Sequence, residues 1–202
     1  MVKYIIFDVM GVVFTVGDDV ENLLIPYIRS LGLDISEKSI KDAYHAASLG
    51  RITSRKLWEQ IGVKKPEVER VERDYLTRSL TLDPGFLPCA RALKNHYGLA
   101  LLSNDISEWS RFLRKYHGIE PLIDAAFISG DLGVRKPDRK IYRVALETLG
   151  IKANECVFID DYPERCEAAR ELGICPILFN REGHDYHGLR VKSFEQLIQL
   201  LI

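Results

Sequence analysis

Short apolar runs alternate with helical patterns along most of the chain. Because these runs are nearly continuous in apolar residues, they are typical of strands buried on both faces of a parallel sheet. The stretches between them have helical spacing, and this alternation predicts helices that wrap the sheet. The sequence therefore predicts an α/β fold with about five strands: Lys3–Asp8, Leu99–Ser103, Ala126–Ser129, Cys156–Asp160 and Pro176–Phe179.

The alternation stops between residues 18 and 83. Apolar residues there recur only at helical spacing, and no run predicts a strand. The Asp83–Gly85 segment, Asp-Pro-Gly, predicts a turn that returns the chain to the alternating pattern. We therefore expect an α/β core formed by residues 1–17 and 84–202, with an α-helical insertion at residues 18–83.

Composition narrows the class of protein. Hydrophobic residues make up 47 % of the 202 residues, and the net charge of −1 includes no basic block. Because there is no basic block, we expect no nucleic-acid partner. We also expect no membrane partner, because no apolar stretch reaches the ~18 residues that span a bilayer. The first residues lack signal-peptide features, and the four cysteines show no C-x-x-C spacing, which predicts reduced thiols in a soluble cytoplasmic protein.

Polar residues follow several of the predicted strands. Asp8 ends the first strand, Ser103–Asp105 follow the second, and Asp160–Asp161 follow the fourth, while Lys136 lies at a loop-to-helix junction. Ligands of α/β proteins gather at the carboxyl ends of the strands, so these groups should converge. Carboxylates this close stay ionised together only beside a positive charge such as Mg²⁺ or Lys136. A hard cation, an ammonium and a hydroxyl together describe a phosphate site.

These residues lie in four ordered motifs: F-D-V-M-G-V-V, L-L-S-N-D, R-K-P-D and F-I-D-D-Y-P-E-R-C-E-A-A-R-E-L-G. The set resembles the haloacid dehalogenase (HAD) superfamily over essentially the whole chain. That resemblance implies a Rossmann-like core with a helical cap between motifs one and two. It also implies that Asp8 is a nucleophile that forms an aspartyl-phosphate. Ser103 would bind the transferring phosphoryl oxygens beside the Asn104 backbone amide, and Lys136 would neutralise charge.

The resemblance also implies a Mg²⁺ site. Asp8, Asp161 and the backbone carbonyl of Met10 would coordinate the ion, with Asp160 beside it or bound through water. Family phosphatases have an aspartate at the position of Met10, where it protonates the leaving group and then activates water. Such acid–base help is typically worth about 10²–10⁴-fold in rate. Its absence predicts slow turnover of esters with poor leaving groups and a smaller effect on acyl or activated aryl phosphates.

The expected function is a Mg²⁺-dependent phosphatase or phosphotransferase that acts on a small phosphorylated metabolite. In the insertion, Gly50–Thr53 resembles a cap segment of this superfamily, so Arg51 is a candidate substrate contact; a solvated arginine is the alternative. His45 could supply the proton that Met10 cannot, and a surface histidine is the alternative there. The sequence is compatible with a monomer or a homodimer.

Two other functions remain open. The first is a metal-free 2-haloacid dehalogenase, in which Asp8 would displace halide from carbon. Dehalogenases of the family also lack the second carboxylate, but they have a tyrosine at the Met10 position and lack the Asp160–Asp161 pair. The second is a non-catalytic protein that binds phosphate and Mg²⁺ and has lost the acid.

Overall fold

Six parallel strands form one sheet, and the computed structural model describes all residues from 1 to 202. In chain order the strands are β1 (Tyr4–Phe7), β2 (Gly98–Ser103), β3 (Ala125–Ile128), β4 (Cys156–Asp160), β5 (Cys175–Phe179) and β6 (Arg190–Val191). Their order across the sheet is β3-β2-β1-β4-β5-β6. Phe7 pairs with Leu101 on one side and with Ile159 on the other. The residues that follow β1, β2 and β4 therefore lie at one edge of the sheet.

Ten α-helices accompany the sheet. They are α1 (Ile25–Ser30), α2 (Glu37–Ala47), α3 (Ser54–Gln60), α4 (Val68–Arg78), α5 (Phe86–Leu93), α6 (Ser107–Tyr116), α7 (Ser129–Leu132), α8 (Arg139–Leu149), α9 (Pro163–Arg170) and α10 (Phe194–Leu201). One turn of π-helix, Val20–Leu24, leads into α1. None of these helices combines the length and the apolar character needed to cross a membrane.

Successive side chains of the central strands belong to two separate hydrophobic clusters. Ile5 and Phe7 lie in the larger cluster, which also contains residues of the helical segment, whereas Ile6 lies in the smaller one with Ile141 and Tyr142 of α8. This division is expected because successive side chains of a strand point to opposite faces. Both faces of the sheet are covered, which explains why the strands are apolar throughout.

The predicted α/β fold is confirmed. Four of the five predicted strands differ from the observed ones by a single residue at one or both ends, and β4 has the predicted bounds. The prediction of about five strands missed β6. That strand has two residues, and Arg190 is exposed, so no apolar run indicates it. It lies at the edge of the sheet next to β5.

The segment between β1 and α5 contains only helices, apart from a short connection to the core. There, the backbone N–H of Thr15 donates to the carbonyl of Thr81 at 3.0 Å, and the backbone N–H of Asp83 donates to the carbonyl of Val13 at 2.9 Å. These two hydrogen bonds pair the chain that leaves the core with the chain that returns to it. The division into a core and a cap at residues 18–83 stays a prediction.

Aromatic side chains pack the helical segment onto the core. Trp58 of α3 and Tyr75 of α4 contact Trp109 of α6, with ring centroids 5.9 and 5.2 Å apart. The indole nitrogens of Trp58 and Trp109 both donate to one carboxylate oxygen of Glu72, each at 2.8 Å. Glu72 therefore satisfies one buried donor on each side of the interface.

Replacing Glu72 by alanine would leave both indole N–H groups without an acceptor. Each unsatisfied donor costs about 1–3 kcal/mol, so we expect Glu72→Ala to lower the free energy of unfolding by about 2–4 kcal/mol, measured by urea denaturation. Glu69→Ala on the same helix is the control, since the Glu69 side chain is 88 % exposed. Equal losses in the two variants would contradict this role for Glu72.

Candidate active site

Asp8 lies at the end of the central strand and is almost completely buried. Its backbone N–H donates to the carbonyl of Ile159 at 2.7 Å, which continues the pairing with β4 by one residue. Its Oδ1 atom accepts from the backbone N–H of Val9 at 2.6 Å. The strand pairing therefore fixes the backbone at Asp8, and the Val9 amide holds its carboxylate.

Lys136 is a buried ammonium between two carboxylates. Its Nζ atom lies 2.7 Å from Asp8 Oδ1 and 2.6 Å from Asp160 Oδ2. The Asn104 side chain holds the backbone of Lys136 from both sides: its Nδ2 donates to the Lys136 carbonyl at 2.9 Å, and its Oδ1 accepts from the Lys136 N–H at 2.8 Å. Asn104 thus positions Lys136, a role that the sequence analysis did not assign to its side chain.

Arg165 contacts the same carboxylates and was missed by the sequence analysis. Its Nη1 atom lies 3.1 Å from Asp8 Oδ2, 3.5 Å from Asp160 Oδ1 and 3.9 Å from Asp161 Oδ1. Its guanidinium also lies over the ring of Tyr162, 4.1 Å from the centroid. The one signal in the sequence is its position in the first turn of the helix that follows Asp160 and Asp161, which keeps its side chain close to the end of β4.

Asp161 is the carboxylate with the fewest partners. Its Oδ1 atom is buried and accepts no hydrogen bond. A Cβ added to Gly11 or to Gly17 would lie 2.0 or 2.2 Å from its Oδ2 atom, so two backbone segments approach it as only glycine allows. Burial, followed by the charges of Asp8 and Asp160, raises the pKa of Asp161 to about 9. A negative charge there is therefore costly unless a further cation balances it.

The three carboxylates form a set that fits a hard divalent cation. One oxygen each from Asp8, Asp160 and Asp161 lies within 4.8 Å of the other two. Lys136 and Arg165 supply two positive charges, one fewer than the negative charges that the cluster carries when all three carboxylates are ionised. Oxygen ligands with excess negative charge and a buried, unpaired Asp161 oxygen are the donors that Mg²⁺ prefers.

A cavity of about 200 Å³ opens beside Asp8. Met10, Ser103 and Asn104 line it from the core, as do Arg135, Tyr162 and Arg165. Residues 17–20 and Tyr44 close it from the segment that leads into the helices. The cavity is small and mainly polar, and it therefore suits a small charged ligand.

The structure brings most of the predicted site residues together, with the exception of Arg51 and His45. Asp8, Met10, Ser103 and Asn104 line one cavity, and Lys136, Asp160 and Asp161 lie against Asp8 or beside it. Arg51 is exposed and lines a separate depression with Glu108 and Arg111. His45 lines an adjoining cavity with Lys41. The individual roles assigned to the site residues stay predictions.

The sequence profile of the haloacid dehalogenase-like hydrolases matches residues 2–173. The chain belongs to this family. The match includes every residue of the acidic cluster and both of its cationic partners, and the protein is therefore a HAD-like hydrolase.

Curated relatives of this HAD-like hydrolase include phosphatases and a dehalogenase. A phosphatase of Mycobacterium tuberculosis is 30 % identical over 89 residues, 44 % of this chain and 41 % of that protein. A sesquiterpene phosphatase of Aspergillus oryzae is 29 % identical over 174 residues, 85 % of this chain and 87 % of that protein. An (S)-2-haloacid dehalogenase of Burkholderia cepacia is 30 % identical over 88 residues, 44 % of this chain and 38 % of that protein. The chain thus spans less than half the length of the first and third of these relatives.

A HAD family enzyme of Bacteroides thetaiotaomicron, solved in complex with magnesium and inorganic phosphate, has the same fold. Its TM-score is 0.76 at 21 % identity, over 92 % of this chain and 98 % of that chain. This likeness confirms the Rossmann-like α/β architecture of the HAD-like hydrolase.

Removing the ammonium of Lys136 would leave two buried carboxylates short of a cation. Breaking a buried ion pair in this way costs about 3–5 kcal/mol, so we expect Lys136→Met to lower the free energy of unfolding by that amount at pH 7 in urea. Lys140→Met, at an exposed position of α8, should change it by less than about 0.5 kcal/mol. A loss below about 1 kcal/mol for Lys136→Met would mean that Arg165 alone holds the carboxylates.

Proposed function

We propose that this HAD-like hydrolase is a Mg²⁺-dependent phosphatase or phosphotransferase that acts on a small phosphorylated metabolite. The observation that carries the proposal is the buried carboxylate cluster, in which Asp161 Oδ1 accepts no hydrogen bond while Lys136 holds Asp8. An acidic cluster with excess negative charge is suited to a divalent cation and, with that cation, to a phosphoryl group. The phosphatase relatives support the same activity.

In this mechanism Asp8 attacks the phosphorus atom and forms an aspartyl-phosphate. Lys136 forms an ion pair with Asp8 and lies within reach of charge that develops on the phosphoryl oxygens. The Ser103 hydroxyl lines the cavity and can donate to one of those oxygens. Asn104 keeps Lys136 in place through its two hydrogen bonds to the Lys136 backbone.

Mg²⁺ would be held by Asp8, Asp161 and the backbone carbonyl of Met10, with Asp160 beside it or bound through water. When bound, the ion supplies positive charge to the phosphoryl oxygens. Asp160 already accepts from Lys136 and from the backbone N–H of Tyr162 at 2.9 Å, so its carboxylate is held in position by the chain itself.

The size of the substrate follows from the cavity. A volume of about 200 Å³ accommodates a phosphoryl group with a small organic part. The ionisable residues Asp18, Asp19, Arg135 and Arg165 line that space, so we expect a polar substrate. These residues come from both the core and the segment leading into the helices, and we infer that both select the substrate.

A 2-haloacid dehalogenase is the second candidate, and Arg165 favours it. With Lys136 and Arg165 both on Asp8, the nucleophile is paired without any metal. Met10 also lacks the carboxylate that phosphatases use. The unpaired Asp161 oxygen opposes this candidate, because a metal-free enzyme has no use for it.

Activity assays distinguish these functions. We expect hydrolysis of an activated aryl phosphate that requires Mg²⁺ and that falls by at least about 10³-fold in Asp8→Asn, because the amide is not a nucleophile. Lys140→Met, on the surface of α8, should leave the rate unchanged. Halide release from 2-chloropropionate without metal would overturn the proposal in favour of the dehalogenase. Absence of both activities would favour a binding protein without catalysis.

Arg165 should also limit the affinity for Mg²⁺, because its positive charge lies beside all three carboxylates. We expect Arg165→Met to bind Mg²⁺ at least about tenfold more tightly, which corresponds to about 1.4 kcal/mol, in isothermal titration calorimetry at constant ionic strength. Arg170→Met removes a charge from the same helix further from the cluster and serves as the control. Equal affinities in wild type and Arg165→Met would mean that the guanidinium does not oppose the ion.

A further inference from the structure

Asp19 is a buried carboxyl group in the same cavity as Asp8. It is 6 % exposed, and it lies where the chain leaves the core for the first helices. Its Oδ2 atom is buried without a hydrogen-bond partner. Asp8, Met10 and Asp19 all line the same 200 Å³ of space. Met10, which stands where family phosphatases have an aspartate, therefore shares a cavity with the carboxyl group of Asp19. The sequence analysis did not consider Asp19.

Asp19 has no structural task that would explain its burial. The neighbouring Asp18 accepts from the backbone N–H of Glu21 at 3.0 Å and so caps the first turn. Asp19 occupies the N-cap position, but its side chain caps nothing, and it forms no ion pair. An unpartnered buried carboxyl group costs stability. Such a cost is typical of a group that serves the chemistry of a site.

The surroundings of Asp19 raise its pKa far above that of an ordinary aspartate. Burial and the charge of Asp18 raise its pKa to about 7, with a further contribution from Asp8, whereas its own backbone amide and Arg135 oppose the shift. Tyr44 and Asp105 also lie close enough to interact with its charge. A carboxyl group that exchanges its proton near pH 7 suits general acid–base catalysis.

Other titratable groups near Asp8 are less suitable. Asp18 is used as a helix cap. His45 lies in the adjoining cavity. Asp105 accepts from the backbone N–H of Ile106 at 2.7 Å and does not line the cavity of Asp8. Asp19 combines a buried carboxyl oxygen that has no hydrogen-bond partner with a place in that cavity.

We propose that Asp19 is the general acid–base of this enzyme and takes the place of the carboxylate that is missing at Met10. This inference rests on the proposed phosphatase function. In the first step, Asp8 Oδ bonds to phosphorus, the bond from phosphorus to the leaving oxygen breaks, and that oxygen takes the proton of Asp19 to give an alcohol. In the second step, a water oxygen bonds to phosphorus, Asp19 accepts the water proton, and the bond between phosphorus and Asp8 Oδ breaks, which releases inorganic phosphate and the free Asp8 carboxylate.

The test compares two substrates that differ in their need for a proton. The leaving group of 2,4-dinitrophenyl phosphate departs as a stable anion and needs no proton. The leaving group of a small alkyl phosphate such as glycerol phosphate must be protonated as it departs. With Mg²⁺ present, we expect Asp19→Asn to lower kcat/KM for the alkyl phosphate by about 10²–10³-fold and the rate of aspartyl-phosphate formation from the aryl phosphate by less than about threefold. Asp34→Asn, which removes an exposed carboxylate between α1 and α2, should change neither value.

A second variant places a carboxylate at position 10, where family phosphatases have an aspartate. We expect Met10→Asp in the Asp19→Asn background to recover at least about tenfold of the lost alkyl phosphate activity. A purely structural defect at Asp19 would not be rescued in this way and would affect both substrates alike.

Other results would contradict the role of Asp19 or the phosphatase function. Equal losses on both substrates would make Asp19 a binding or structural residue, and an unchanged alkyl phosphate rate would exclude it as the acid. Wild-type turnover of the aryl phosphate alone would also exclude it. If Asp8→Asn leaves the aryl phosphate rate intact, or wild type turns over neither substrate, the proposed function itself fails.

Discussion

The contact between Lys136 and two buried aspartates is the interaction on which the site depends. Asp8 and Asp160 end neighbouring strands, so the pairing of the sheet forces their like charges together. The Lys136 ammonium balances these charges, and Asn104 positions Lys136 through two hydrogen bonds to its backbone. The Asn104 carbonyl in turn accepts from the Tyr44 hydroxyl at 3.3 Å. A line of polar contacts thus runs from α2 to the nucleophile.

The two cations of the cluster differ in their freedom to move. The Lys136 side chain is completely buried, whereas one fifth of the Arg165 side chain is exposed and its guanidinium rests on Tyr162. Lys136 is therefore a fixed part of the structure. Arg165 can adjust its position toward solvent at lower cost, since its charge need not leave water entirely. The same carboxylates thus have one permanent and one adjustable partner.

The sequence was sufficient for the five longer strands and for the groups at their ends, because burial on both faces and parallel pairing leave a clear pattern. It was insufficient where the outcome depends on side-chain surroundings. Asp18 and Asp19 are adjacent and chemically identical, yet one caps a turn and the other is buried without a partner. Arg165 resembles any helix-surface arginine until the position of Asp8 is known. Arg51 matches a cap motif but lies in a different depression.

The shared core of the helical segment and the sheet has a consequence for how ligands reach Asp8. Lifting the helices away from the sheet would expose Trp109 and break its indole hydrogen bond to Glu72. The adjoining cavity of about 400 Å³ shares Asp18, Tyr44 and Arg135 with the cavity of Asp8. A small molecule held in this larger cavity would therefore already contact residues that border Asp8, while the aromatic interface stays closed.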